Sequence, residues 1–323
     1  MIKAVRVHKP GAPETMVYED VEIGDPGPGQ LRVKHTAIGV NFIDTYMRSG
    51  LYPTPTPFAP GNEAAGTVDA VGPGVTDFKV GDRVTYVIAG GGAYAEKRIA
   101  PADRVVKLPD GITDKQAASM MLKGMTVQYL LRRTYKVQPG DAILFHAAAG
   151  GVGLIACQWA KHLGATTIGT VGSKDKAKLA ADHGCHHTIL YRDTDFVAAT
   201  RAIAAEGVPV VYDSVGKDTF LKSLDCLRPL GLLASFGQSS GPVEPLNTGL
   251  LAAKGSLFVT RPTLFTYIAK KPDLVATAND LFDVVAKGIV KIETTAEYAL
   301  KDAVRCHQDL EGRKTTGSVI LIP

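Results

Sequence analysis

The stretch HAAAGGVG, His146 to Gly153, has the residue types and spacing to hold an anion against bare backbone. It lies between the apolar run AILFH and a segment in which Val152, Ile155, Trp159 and Leu163 fall on one helical face. Gly150 and Gly153 fill the second and third glycines of a G-x-G-x-x-G pattern, with Ala148 at the first. The second glycine lets a pyrophosphate approach the chain. The third lets the helix pack on the strand, and the helix N-terminus faces the negative charge. In this strand–turn–helix context the pattern points to a dinucleotide; outside it, the same residues would make only a tight turn.

Which dinucleotide depends on the end of the following strand. An NAD site places Asp or Glu about 20 residues on, where it takes the ribose 2′-hydroxyl. Here that strand runs out through Thr170, Val171, Gly172, Ser173 and Lys174, with no acid at its tip. Ser173 and Lys176 offer a hydroxyl and a cation suited to a 2′-phosphate, and Tyr191 can add a second hydroxyl. The plainer readings are an N-cap for Ser173 and a solvated helix face for Lys176. Asp175 dissents, although on a first helical turn it also suits the helix dipole. The expected cofactor is NADPH. The run His183, Gly184, Cys185, His186, His187 has metal-ligand chemistry, but it spans too short a turn for its side chains to converge, so a structural role is expected.

The positioning elements change character along the chain. Residues 1 to about 110 read as short strands cut by Gly and Pro turns, which suggests a small, mostly antiparallel barrel or sandwich. TDKQAASMMLKGMTVQYLLRR is helical in period. From Asp141 strands and helices alternate regularly as far as SLFVT, the pattern of a doubly wound parallel sheet, Rossmann in type and α/β in class. Two more helical stretches and the strand SVILIP follow Pro262, and this tail is expected to rejoin the first part.

Bulk properties bound the remaining choices. The 323 residues exceed a comfortable single core, so two domains are expected. The composition, 45% hydrophobic and 21% charged, is that of an ordinary globular protein. A formal net charge of +4 gives no reason to expect nucleic acid. No stretch approaches the roughly 18 apolar residues of a spanning helix, and the start lacks a signal-peptide core. Cys157, Cys185, Cys226 and Cys306 are widely separated, form no CxxC pair and read as reduced, buried thiols of a cytoplasmic protein.

Several longer strings carry a family resemblance: GVNFIDTYMRSGLYP, PGNEAAGTV, GDRVTY, LKGMTVQYLL, HAAAGGVG, FGQSSGPV, GSLFVTRPTL and GRKTTGSVILIP. In these, over nearly its whole length, the chain resembles the zeta-crystallin type quinone oxidoreductases of the medium-chain dehydrogenase/reductase superfamily. The resemblance implies a Rossmann domain inserted in a GroES-like, β-rich catalytic domain. The expected boundaries are 1–124 with 262–323 for the catalytic domain and 125–261 for the NADPH-binding domain. It also implies NADPH contacts at Asn41, Tyr129, Gly150, Gly151, Val152, Ser173, Lys176, Tyr191, Phe236, Gln238 and Arg313, and a homodimer paired through the Rossmann edge strand SLFVT.

Zinc alcohol dehydrogenases of that superfamily place Cys and the His of a GHE motif where this sequence has Asn41 and Asn62, and their third ligand position corresponds to Lys123. Amide and ammonium groups do not ligate tetrahedral zinc, so no metal is expected, and alcohol oxidation loses its Lewis acid. A quinone or enone needs less, because its conjugated system takes hydride and the developing oxyanion needs only donors and a proton. The expected catalytic donors are Asn41 and Tyr46, with Tyr52, Asn62 and Lys123 at the pocket's rim or just behind its lining. Against each stands a plainer role: turn asparagines, half-buried tyrosines, an exposed helical lysine. The expected activity is NADPH-dependent quinone reduction. The alternatives are reduction of enoyl thioesters or other alkenes on the same fold, and a crystallin-like NADPH-binding protein with little turnover. No basic stripe interleaved with aromatics supports RNA binding.

Overall fold

Period-two burial shapes the first strands of the computed structural model, which describes residues 1–323. Strand β1 (Ile2–Val7) pairs antiparallel with β2 (Met16–Val21). The long β3 (Gln30–Val40) buries Leu31, Val33 and His35 on one face, then is buried continuously from Ala37 to Val40. Helix α1 (Phe42–Ser49) follows, then β4 (Glu63–Val71), β5 (Arg83–Val87), β6 (Lys97–Pro101), β7 (Val105–Lys107) and helix α2 (Asp114–Tyr129).

The alternating segment comes next. It comprises β8 (Ala142–Phe145), α3 (Gly151–His162), β9 (Thr166–Val171), α4 (Lys174–Asp182), β10 (His187–Leu190), α5 (Phe196–Ile203), β11 (Val208–Asp213), α6 (Phe220–Asp225), β12 (Leu227–Ser235), α7 (Gly249–Ala253) and β13 (Phe258–Thr260). The tail adds α8 (Leu264–Tyr267), α9 (Lys271–Ala286), β14 (Thr294–Ala299), α10 (Ala303–Glu311) and β15 (Ser318–Ile322).

These elements form two units. The first comprises Met1–Met125, Ile268–Ala286 and Ile292–Pro323; the second comprises Thr126–Tyr267 and Lys287–Lys291. The second unit runs past residue 261, the boundary expected from the sequence. Tyr267 is held there by partners far back in the chain: its ring stacks on Tyr129 with centroids 4.3 Å apart, and Arg133 donates to its carbonyl (3.0 Å).

In the second unit six strands, all parallel, lie in the order β10-β9-β8-β11-β12-β13. The chain starts in the middle of the sheet, and the order reverses between β8 and β11. That is the switch point of a doubly wound sheet, where ligands bind beyond the carboxyl ends of the strands. Trp159 and Leu154 of α3 are almost wholly buried; truncating such a tryptophan to Ala typically costs roughly 3–5 kcal/mol.

In the first unit seven strands form a largely antiparallel sheet, β14-β15-β3-β4-β5-β7, with β6 also on β3. The tail closes it: Val319, Ile320 and Leu321 of β15 pair with Val40, Gly39 and Ile38 of β3. Arg48, 1% exposed, binds Glu311 at 2.6 Å and ties α1 to α10. No helix of either unit is long and apolar enough to cross a membrane.

Three buried titratable groups of the first unit have pKa values displaced far enough to tie its stability to pH. His35 donates from Nδ1 to the Ala95 carbonyl (2.6 Å) and accepts the Tyr86 hydroxyl at Nε2 (2.8 Å). Burial lowers its pKa to about 4. His307 meets the Tyr94 hydroxyl at Nε2 (2.9 Å), and burial, helped by the charge of Arg48, lowers its pKa to about 3. Asp44 accepts from the Asn41 backbone (2.9 Å), Asn62 Nδ2 (2.9 Å) and the Tyr94 hydroxyl (3.2 Å), yet burial raises its pKa to about 7.

Below about pH 6.5 the unfolded chain protonates both histidines, whereas the folded chain already holds the proton on Asp44. Between about pH 6.5 and 4 the unfolded state therefore binds one net proton more from these three groups. They lower stability by ~1.4 kcal/mol per unit of acidification. Replacing His307 by Gln removes one titrating group and should flatten the acid limb by that same amount in urea titrations run from pH 6.5 to 4.5. An unchanged slope would mean that His307 is not held neutral in the fold.

Candidate functional site

The second unit carries its polar groups where its strands end. The turn after β8 brings the backbone round through Ala147, whose φ of 56° is left-handed, to Gly150, the N-cap of α3. No side chain caps that helix, so its first N–H groups, which have no partner within a helix, face outward. A Cβ at Gly153 would stand 2.5 Å from the carbonyl oxygens of both Ala147 and Ala148. At Gly150 the same atom would meet only the Ala147 oxygen, at 3.2 Å. The third glycine of the pattern is therefore required by helix–strand contact, and the second by what approaches from outside.

β9 ends at Val171, and Ser173 caps α4 by accepting from the Lys176 backbone N–H (3.3 Å). Ser173 is thus the N-cap of its plainer reading, with its hydroxyl at an exposed turn. The Tyr191 hydroxyl lies 3.2 Å from where a Gly172 Cβ would stand, so Tyr191 covers the same turn. Phe236 follows β12, its ring 5.8 Å from Phe145, and its N–H donates to the Asp213 carbonyl (2.8 Å). Gln238 lies beside Gly216, which a Cβ would bring to 3.0 Å of the Gln238 Cα. Tyr129, 2% exposed, is stacked under Tyr267, and burial raises its pKa.

Of the residues expected at the cofactor, Gly150, Gly151, Val152, Ser173, Lys176, Tyr191, Phe236 and Gln238 gather at these strand ends. Asn41 and Arg313 belong to the first unit. Arg313 is exposed in the turn after α10, with a left-handed φ of 57°. The His183–His187 run disperses as expected. His183 Nδ1 faces the Leu179 carbonyl (2.8 Å), His186 Nδ1 accepts from Thr167 N (3.1 Å), and Cys185 donates to the His187 carbonyl (3.2 Å). All four cysteines are free and buried.

In the first unit a carboxylate missed from the sequence organises the site. Glu63 is wholly buried. Its Oε1 accepts from Asn41 Nδ2 (2.7 Å), and its Oε2 accepts from the Leu122 backbone (2.6 Å). Lys123 Nζ stands 3.5 Å from Glu63 Oε1 and donates to the Val40 carbonyl (3.1 Å). Gly39, directly opposite Glu63 in the β3–β4 register, leaves the room; a Cβ there would lie 2.3 Å from Glu63 Oε1.

Asn41 is the N-cap of α1, its backbone N–H held by Asp44. Lys123, at 6% exposure, is not the solvated cation of its plainer reading. Asn62 is also wholly buried: its amide donates to Asp44 and its carbonyl accepts from Gly91 N (3.3 Å). Tyr46 is half-buried, with the rings of Tyr52 and Phe42 5.3 and 6.3 Å away. No group of three or more His, Cys, Asp or Glu is disposed to hold a metal ion. The sequence signal for Glu63 was an acid in a strand of small apolar residues, NEAAGTV, a position that burial alone makes costly.

Two family models match the chain: "Alcohol dehydrogenase GroES-like domain" over residues 27–110 and "Zinc-binding dehydrogenase" over 151–283. A quinone oxidoreductase of Pseudomonas aeruginosa is 52% identical over the whole of both chains. A 2-haloacrylate reductase of a Burkholderia species is 48% identical, over all of this chain and 99% of its own. The crystal structure of Escherichia coli quinone oxidoreductase complexed with NADPH superposes with a TM-score of 0.98 at 50% identity, covering 99% of this chain and all of the other. With its Rossmann-type parallel sheet and GroES-like unit, the chain belongs to the quinone oxidoreductase family of the medium-chain dehydrogenases and reductases.

Proposed function

We propose that this chain reduces quinones or related conjugated acceptors with NADPH and needs no zinc. The observation that carries the reading is the strand-end platform of the second unit: an uncapped α3 N-terminus beside a turn bearing Ser173, Lys176 and Tyr191, with no carboxylate at the tip of β9. Those groups fit a dinucleotide with a 2′-phosphate. Bound NADPH supplies the hydride from its dihydronicotinamide ring. The second unit, with Gly150, Gly151, Val152, Ser173, Lys176, Tyr191, Phe236, Gln238 and Tyr129, is the cofactor-binding domain. The first, to which Asn41 and Arg313 belong, is the catalytic domain.

Around the acceptor the protein positions, excludes water and places donors. An acceptor taking hydride builds negative charge on its carbonyl oxygen, which hydrogen-bond donors stabilise most in a dry site. Asn41 and Tyr46 are the donors assigned to that oxygen, and the buried ammonium of Lys123 adds positive charge. Tyr52 packs beside Tyr46 as a wall for a flat ring. Asn62, buried with its amide on Asp44, supports α1 rather than meeting the acceptor. Asn41, Asn62 and Lys123 stand where zinc ligands would be, and none of them suits that metal. A second acceptor class, activated alkenes, is favoured by the 48% identity to a 2-haloacrylate reductase.

We also place a homodimer on the edge strand β13, where Phe258 is 59% exposed. Phe258→Asp should turn a dimer into a monomer in sedimentation velocity; a wild-type monomer would contradict this part.

The activity test is NADPH consumption against quinones, enones and enoyl thioesters, on chelator-treated protein, with NADH in parallel. Metal-independent turnover, fastest with a quinone and preferring NADPH, is expected. Faster turnover of an activated alkene would move the assignment to the second class, and loss of activity on chelation would overturn the zinc-free site. Lys176→Ala should raise the KM for NADPH about tenfold, the scale of one charge-assisted hydrogen bond, and leave that for NADH unchanged. An equal effect on both would remove Lys176 from the 2′-phosphate.

A further inference from the structure

The cofactor platform is assembled from four separate strand ends, and one buried polar network reaches all of them. His146, the first residue after β8, is wholly buried, and its ring packs edge-on to Phe196 (5.0 Å, 84°). Its Nδ1 lies 2.9 Å from the Thr170 hydroxyl on β9, and its Nε2 lies 2.9 Å from the Ser223 hydroxyl on α6. Ser223 stands 3.4 Å from Asp213 Oδ2 and donates to the Thr219 carbonyl (2.8 Å).

Asp213 closes β11 and is itself saturated. Oδ1 accepts from Val215 N (2.7 Å) and Gly216 N (3.0 Å), and Oδ2 from the Thr219 hydroxyl (2.7 Å). Its backbone carbonyl receives Phe236 N–H (2.8 Å) after β12. Thr170 in turn takes the Ala147 N–H on its hydroxyl (3.4 Å) and the Ala148 N–H on its carbonyl (3.1 Å).

We propose that the His146–Thr170–Ser223–Asp213 network is the positioning device of the cofactor site, setting the turns that carry Gly150, Ser173 and Phe236 relative to one another. This rests on the reading of the platform as an NADPH site. The proton pattern favours a single arrangement. Ser223 gives its proton to the Thr219 carbonyl, so it accepts from His146 Nε2–H, and Nδ1 then accepts from the Thr170 hydroxyl. A second ring proton would make Nδ1 a donor and take away the acceptor that the Thr170 O–H uses. Burial lowers the His146 pKa, in keeping with a neutral ring.

Such a network holds geometry rather than adding bulk stability, because a polar link in the core nets little over an apolar filling of the same shape. It also holds Ala147 in a left-handed conformation that a non-glycine residue adopts at a cost, the kind of local strain that recurs at ligand sites. None of the four side chains need touch the cofactor. Ser223, Asp213 and His146 lie at zero exposure beneath the turns they connect.

The test compares Thr170→Val, which keeps the shape and removes the hydroxyl, with Thr170→Ser, which restores it. NADPH dissociation constants come from equilibrium titration, and the melting temperature of each cofactor-free protein is measured beside them. Thr170→Val should weaken NADPH about tenfold with its melting temperature within a few degrees of wild type, and Thr170→Ser should return the affinity to within about twofold. If Thr170→Val does not fold, Ser223→Ala opens the network at its other end and should show the same tenfold loss. Wild-type affinity in the folded hydroxyl-less variant, or no recovery in Thr170→Ser, would overturn the positioning role. Failure of the wild-type protein to bind NADPH would instead overturn the reading of the platform, and this proposal with it.

Discussion

The contact between α3 and the turn before it constrains everything else in the second unit. With two carbonyl oxygens 2.5 Å from the place of a Cβ, only glycine at position 153 lets the helix lie so close to the end of β8. That closeness points the uncapped N–H groups of Gly151 and Val152 at the crevice where the strand order reverses. The other contributors are then a matter of strand order. β9 on one side brings Ser173, and β11 with β12 on the other brings the turns after Asp213 and Ser235. A sheet wound in another order would place the same side chains apart.

The first unit has an analogous constraint in Gly39. Its missing side chain makes room for a buried carboxylate, and Glu63 uses that room to hold Asn41, Leu122 and Lys123 together. A charge at zero exposure is tolerable because it is paired and bonded on both oxygens. By the family resemblance, Asn41 and Lys123, together with Asn62, correspond to the ligand positions of the zinc alcohol dehydrogenases. Here two amides and an ammonium surround carboxyl groups instead, Glu63 beneath Asn41 and Lys123 and Asp44 beneath Asn62. The chemistry left to such a site is hydrogen bonding and charge, which suits an acceptor that becomes anionic.

What could be read from the sequence follows from range. The glycine pattern, the apolar run before it and the helical spacing after it are all local, and they identified the βα turn and the β/α alternation. The missing acid at the tip of β9 was equally local. Glu63, Asp44 and His146 were passed over because their partners come from elements far along the chain: Glu63 meets Leu122 of α2, Asp44 meets Tyr94, and His146 meets Ser223 of α6. Lys123 was read against an exposed helical lysine because nothing near it in the chain announces burial at 6% exposure. The reach of the second unit to Tyr267 has the same origin, since the partners that hold Tyr267 are Tyr129 and Arg133, far back in the chain.

The central claim is that these strand ends recognise a dinucleotide through its 2′-phosphate. Equilibrium titration of the purified protein with adenosine 2′,5′-bisphosphate and with 5′-AMP tests it without any acceptor. The account predicts that the bisphosphate binds at least about tenfold tighter, the return from one to two charge-assisted hydrogen bonds. Equal affinity for the two would contradict it.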